Sequence, residues 1–260
     1  MNGTRAIAIV VVATSLTACG QGPSDLGSSP DILWWTDHET GDLNDWTRNG
    51  GSLWTIAGGQ LSVVTSPVRS GNYALRSSVT SSSSMLSEAV AQRAGVQVPV
   101  DAYYSAWYYV PAASIPSSYW LFFKFRSRCV ASDPSSGAEV WDFNFVPDGN
   151  GGMQFALFGH VNGVDEPQVN AATVPIGQWF QVEAFLRVAN DDTGRLTVWE
   201  NDTVIFDVQG RPTMPSSCVE WSVGGITGVI TPASATFYVD DAAISTRRLG
   251  PHYPIFWRGN

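Results

Sequence analysis

Trp179-Phe180-Gln181-Val182-Glu183-Ala184-Phe185-Leu186-Arg187-Val188 sets Phe180, Val182, Ala184, Leu186 and Val188 in strict alternation with Trp179, Gln181, Glu183, Phe185 and Arg187. Successive strand side chains point to opposite faces, so one face of this segment is core and the other mixes polar with aromatic groups. Just downstream, residues 195–200 and 203–208 flank Asn201-Asp202, a pair that tolerates positive φ and suits a tight hairpin. Three consecutive antiparallel strands are therefore expected. The same pattern of short β-branched and aromatic runs, punctuated by Gly, Asn, Asp and Ser, predicts strands over 60–65, 73–79, 103–110, 120–125, 139–146, 153–160 and 235–244. The serine-rich stretch 77–87 is expected as loop, and no sustained helical period or internal repeat occurs. About ten strands without a helix predict an all-β, two-sheet antiparallel jelly-roll sandwich, with a closed barrel as the competing architecture.

The chain has 260 residues and a formal charge of −9. Its N-terminus carries Arg5, an apolar run over 6–13 and then Leu16-Thr17-Ala18-Cys19. Thr14, Ser15 and Thr17 break the run far short of the roughly 20 apolar residues that a spanning helix needs, so the segment is an export signal. Its end resembles the cleavage site of bacterial lipoproteins, and that resemblance implies that Cys19 becomes the lipidated first residue of the mature chain. The expected organisation is a signal peptide over 1–18, the lipidated cysteine and a Gly/Ser/Pro-rich tether over 19–30, one sandwich domain over 31–250, and a tail over 251–260. The protein is expected outside a bacterial membrane, attached through lipid alone, and monomeric. Loss of Arg5 with the signal takes the charge to −10, a sign that repels phosphate backbones and argues against nucleic-acid partners. With Cys19 assigned to the lipid, Cys129 and Cys218 remain either as a disulfide, the expectation in an oxidising compartment, or as two buried thiols.

Four segments, in this order, carry a resemblance to a family. They are Glu39-Thr40-Gly41-Asp42-Leu43-Asn44-Asp45-Trp46, then Ser70-Gly71-Asn72-Tyr73-Ala74-Leu75-Arg76, then Gly177-Gln178-Trp179-Phe180-Gln181-Val182-Glu183 with its hairpin, and finally Phe237-Tyr238-Val239-Asp240-Asp241-Ala242-Ala243-Ile244-Ser245. The chain resembles concanavalin A-like jelly rolls, and among them the bacterial polysaccharide lyases typified by heparin lyase I and the jelly-roll alginate lyases. The resemblance implies a polysaccharide partner, with β-elimination of an acidic glycan as the specific activity. Two other classes stay open: a non-catalytic carbohydrate-binding or adhesion lipoprotein, and a glycoside hydrolase. Fold alone does not choose among them.

Lys124 is the chain's single lysine, and it lies in Trp120-Leu121-Phe122-Phe123-Lys124-Phe125-Arg126. Alternation predicts Phe122, Lys124 and Arg126 on one face and Leu121, Phe123 and Phe125 on the other. Between residues 60 and 130, six basic side chains (Arg69, Arg76, Arg93, Lys124, Arg126, Arg128) stand against Glu88 and Asp101, a local excess of +4 in an acidic protein. The family resemblance sets Arg76 on an early strand facing the sugar groove. It aligns Lys124 and Arg126 with a strand on which alginate lyases carry a Gln-x-His pair, from which this chain departs. Elimination needs a cation to neutralise the uronate carboxylate, a base for the adjacent C–H and an acid for the leaving oxygen. Arg76 and Arg126 are expected to neutralise, and Lys124, His160 or Tyr108 to act as base. Tyr108, Asp142, Asn144 and Arg187 are expected to contact substrate. The sequence Glu139-Val140-Trp141-Asp142-Phe143-Asn144 lacks the Glu-x-Asp-x-x-Glu spacing of jelly-roll glucanases, which disfavours hydrolysis. No catalytic cofactor is required. Asp37, Glu39 and Asp241 would suit a structural calcium ion joining the first and last strands.

Overall fold

A computed structural model describes residues 31–96, 98–129 and 137–253. The expected signal, Cys19 and the tether lie outside the described residues, as does most of the expected tail. The strands are β1 (Ile32–Thr36), β2 (Ser52–Ile56), β3 (Gln60–Val64), β4 (Ala74–Thr80), β5 (Ser87–Arg93), β6 (Asp101–Tyr109), β7 (Ile115–Pro116), β8 (Trp120–Ser127) and β9 (Ala138–Pro147). They continue as β10 (Met153–Gly159), β11 (Val164–Glu166), β12 (Trp179–Arg187), β13 (Arg195–Glu200), β14 (Thr203–Gln209), β15 (Glu220–Thr227), β16 (Ile230–Thr231) and β17 (Ser234–Ser245). One antiparallel sheet runs β14-β13-β12-β6-β17-β4-β3, with β1 also on β17; the other runs β11-β10-β9-β8-β15-β5-β2. These two sheets form the expected sandwich. No described helix is long and apolar enough to cross a membrane.

The alternation of β12 is realised, with Phe180, Val182, Ala184 and Leu186 buried in the core, and Asn201 turns the β13–β14 hairpin at φ 51°. Residues 77–87 depart from the expected loop. Ser77 to Thr80 complete β4 and Ser87 opens β5. Ser77 Oγ donates to the Ala89 carbonyl and accepts from Gly225 N, both at 2.8 Å, so the small polar side chain ties the two sheets together through the core. A single helical turn, α1 (Asn44–Thr47), also departs from the all-strand expectation. It lowers Trp46 against Trp34 and Trp221, and the Trp46 indole N–H reaches His38 Nε2 at 3.2 Å. β15 lies so close to its neighbour β5 at Gly224 that a side chain does not fit: a Cβ there, where φ is +133°, would meet the Ala89 carbonyl oxygen at 2.2 Å.

Cys129 and Cys218 are joined, with Cα atoms 4.7 Å apart, within the range a disulfide spans. Beside them Arg128 Nε donates to Glu220 Oε2 at 2.5 Å, both side chains being buried. Burial pushes the Glu220 carboxyl up, and Arg128 opposes that rise. Replacing Arg128 by Met would leave a buried carboxylate with its main counter-charge gone. We expect Arg128→Met to cost about 3 to 5 kcal/mol of stability, measured by urea unfolding at neutral pH.

Candidate active site

The outer face of the seven-stranded sheet carries the site, and a β-bulge in β8 decides which side chains reach it. Leu121 pairs with Asn144 and Phe123 with Phe143, so Phe122 is an extra residue with no partner on β9. Phe122 therefore turns inward, stacked on Phe145 at 4.2 Å and edge-on to Tyr108 at 5.1 Å. Leu121 instead faces outward with Val90, Ile226, Trp54 and Tyr119. Strict alternation had exchanged these two residues. Lys124 and Arg126 keep the outward face as expected.

Lys124 stands opposite Asp142 on β9 and Ser222 on β15. Its ammonium donates to Glu139 Oε1 at 2.5 Å and lies 3.7 Å from Asp142 Oδ1. The Lys124 side chain is only 8 % exposed, whereas Glu139 is 45 % exposed at the groove rim. Burial alone would raise the Glu139 carboxyl, but Lys124, then His160 and Arg126, hold it below the usual glutamate value. His160 follows β10, its backbone N–H bonded to the Val140 carbonyl, and its Nε2 meets Asp142 Oδ2 at 2.8 Å. That hydrogen bond to Asp142 raises the His160 pKa above 6.5 against the opposing effect of burial. Asn144, also outward on β9, donates from Nδ2 to the Asp142 carbonyl at 3.2 Å, and its buried Oδ1 has no hydrogen-bond partner.

Two recesses meet at these residues. One of about 250 Å³ runs between Trp54, Glu88, Lys124 and Arg126. The other, about 820 Å³, runs along β9 and β10 past Asn144, Gln154 and His160. Tyr119, Glu139 and Asp142 line both, so the two form one groove across the sheet. Burial first, and then the carboxylates of Asp142, Glu139 and Glu88, push the Tyr119 phenol up, so that it keeps its proton at neutral pH. Tyr119 was not singled out in the sequence because it lies one residue before the expected start of its strand. Only the bulge reveals that it shares a face with Lys124.

Other expected site residues lie elsewhere. Tyr108 is fully buried in the core, and burial raises its phenol well above the ordinary value, so it neither meets substrate nor serves as base. Arg76 and Arg187 project from the outer face of the eight-stranded sheet, on the far side of the sandwich; Arg187 is paired there with Asp101 at 2.7 Å. The basic excess also disperses. Arg69 binds Asp241, Arg93 is buried against the Arg48 carbonyl and Arg128 is buried on Glu220, leaving Lys124 and Arg126 in the groove. The expected calcium ligands are not gathered. Asp241 accepts from Arg69 and Ser70, while Glu39 accepts from the backbone N–H groups of Asn72 and Tyr73. Among the described residues the one group with metal-ligand geometry is Glu139, Asp142 and His160, with ligand atoms within 4.8 Å. The Lys124 ammonium already supplies positive charge to both carboxylates, so this arrangement fits an ammonium better than a metal ion.

A family model described as polysaccharide lyase matches residues 38–224. No curated protein sequence matches the chain. Among solved structures, an endo-β-1,4-glucuronan lyase from the fungus Trichoderma reesei superposes with a TM-score of 0.63 at 16% identity, covering 84% of this chain and 97% of that one. A cellulose-induced protein gives 0.58 at 16% identity over 83% and 98% of the two chains. An alginate lyase solved with an alginate trisaccharide gives 0.54 at 11% identity over 85% and 100%. At such identities the likeness is one of fold.

Proposed function

This chain belongs to the polysaccharide lyase family, and from that premise we propose that it cleaves a uronate-containing polysaccharide by β-elimination in the groove of the seven-stranded sheet. The observation that carries this is the juxtaposition of Lys124, Arg126, the Asp142–His160 pair and Tyr119 along one groove. Lys124 and Arg126 neutralise the substrate carboxylate, which acidifies the neighbouring C5–H. Asp142 accepts from His160 Nε2, leaving the other ring nitrogen of neutral His160 as base for that proton. The electron pair of the broken C5–H bond forms the C4–C5 double bond as the C4–O bond breaks, and Tyr119, still protonated, delivers its proton to the departing oxygen. Glu139 is the group that moves. Its exposed carboxylate pairs with the Lys124 ammonium, and an incoming uronate carboxylate takes its place.

That same Lys124–Glu139 pair favours a second reading, in which the groove binds acidic glycan without cleaving it. Incubation with alginate, glucuronan and glycosaminoglycans decides between them. Elimination yields an unsaturated uronate that absorbs in the short-wavelength ultraviolet. Binding without such product establishes the non-catalytic reading, and neither binding nor product with any acidic or neutral glycan overturns both. Export and lipid attachment at Cys19 belong to the same proposal and are supported by Leu16-Thr17-Ala18-Cys19. A tether there would hold the enzyme at the membrane surface, where extracellular polymer arrives.

A further inference from the structure

The opposite side of the sandwich bears a row of side chains that the groove does not use. On the outer face of the eight-stranded sheet, Trp179 pairs with Tyr109, Tyr109 with Tyr238, and Tyr238 with Arg76. The row thus crosses β12, β6, β17 and β4 at right angles to the strands. Ring centroids lie 5.6 Å apart for Trp179 and Tyr109 and 6.1 Å for Tyr109 and Tyr238. All four side chains are partly exposed. Two other rings of this face are covered by cations: the Arg69 guanidinium sits 3.9 Å over Trp107, and Arg248 sits 4.8 Å over Trp199. Among the described residues no cation caps the three rings of the row. The Arg76 side chain has no hydrogen bond or ion pair among the described residues, unlike those of Arg187, Arg195 and Arg69, which pair with carboxylates.

Neighbouring strands are about 4.8 Å apart, close to the advance of one sugar ring along an extended polysaccharide. A chain lying across the strands therefore meets one side chain per sugar. Pyranose C–H faces pack on aromatic rings, and a guanidinium pairs with a carboxylate through two parallel hydrogen bonds. We propose that Trp179, Tyr109, Tyr238 and Arg76 form a second glycan-binding surface, for an extended stretch of uronate-containing polysaccharide, on the face opposite the groove. The positive, uncommitted Arg76 at the end of an aromatic row is what selects an acidic over a neutral chain. Its ligand class rests on the reading of the groove, but its existence does not. Such a surface would retain the polymer while the groove acts on another part of it, raising the local concentration of bonds to be cleaved.

The test uses the full chain carrying Lys124→Ala, so that polymer is not consumed, in affinity electrophoresis through gels containing glucuronan, alginate or neutral xylan. Adding Trp179→Ala or Tyr238→Ala is expected to weaken retention by glucuronan or alginate about threefold to tenfold, the worth of one lost ring contact. Adding Arg76→Gln, at a partly exposed site where folding is not at stake, should remove the preference for the acidic gels over xylan and the salt dependence of retention. With Lys124 restored, the Arg76→Gln chain should cleave a short soluble oligouronate at the wild-type rate while losing rate on polymer. Unchanged retention in both Arg76→Gln and Tyr238→Ala would overturn the proposal. So would retention that appears only after deletion of residues 254–260, because the row would then be the seat of the chain's own tail. If no glycan yields product with the wild-type protein yet the row variants lose retention, the lyase reading fails and this surface stands.

Discussion

Lys124→Ala is expected to lower kcat on an acidic polysaccharide by about 10² to 10³-fold, the range for removing one preorganised group that stabilises developing charge. The reason is specific to this groove. Lys124 is nearly buried between Glu139 and Asp142, so its removal deletes the cation that acidifies the substrate and leaves two carboxylates beside the uronate. The second effect falls on KM, because the groove would then repel its anionic ligand. Lys124→Arg should recover binding better than turnover, since a planar guanidinium keeps the charge but cannot place it where the compact ammonium sits. Steady-state rates of unsaturated product formation separate the two parameters. A Lys124→Ala enzyme with wild-type kcat would remove Lys124 from the mechanism.

His160→Gln should lower kcat by about 10² to 10⁴-fold, the contribution of a positioned general base, and the pH profile distinguishes this role from a structural one. The hydrogen bond that His160 donates to Asp142 raises its pKa above 6.5, so the imidazole stays protonated to higher pH than a free histidine and the base form appears only above that value. Activity should therefore rise with pH through a midpoint above 6.5. Asp142→Asn removes the main cause of the shift and should move this limb to lower pH. Linkage gives an independent sign. A raised histidine pKa contributes stability that is complete below 6.5 and is lost as pH rises through the folded-state value, so Asp142→Asn should destabilise the protein more at pH 5 than at pH 9. A limb that stays in place in Asp142→Asn would show that another group titrates.

Much of the architecture was legible in the sequence because a sheet with one buried face writes itself as a period of two. β12, β13, β14 and β17 follow the expected spans within a residue or two, and Asn201 marks the β13–β14 hairpin. β5 and β15 were not. Ser87–Arg93 adjoins a serine run and Glu220–Thr227 holds two adjacent glycines, and both strands, each paired on two sides and closely approaching one another, are so buried that little alternation remains. The site was legible only in part. Lys124 stood out as the single lysine, and Asp142, Asn144 and His160 were named with it, and all four face one groove. Tyr108 and Arg76 were assigned to the same place because a sequence gives residue types without saying which of two sheets, or which of two faces, holds each.

What the sequence by itself determined is whatever local rules dictate: an all-β sandwich, strand faces wherever alternation is unbroken, and a lone lysine among aromatics. The tertiary structure alone decided the site. One inserted residue, Phe122, reverses the inward and outward sense of β8 at that point, and only the pairing of β8 with β9 brings Glu139, Asp142 and His160 to Lys124. The physical reason is that a bulge is defined by the partner strand. It costs nothing in local propensity and leaves no periodic signature, so the face it creates exists only once the sheet has formed.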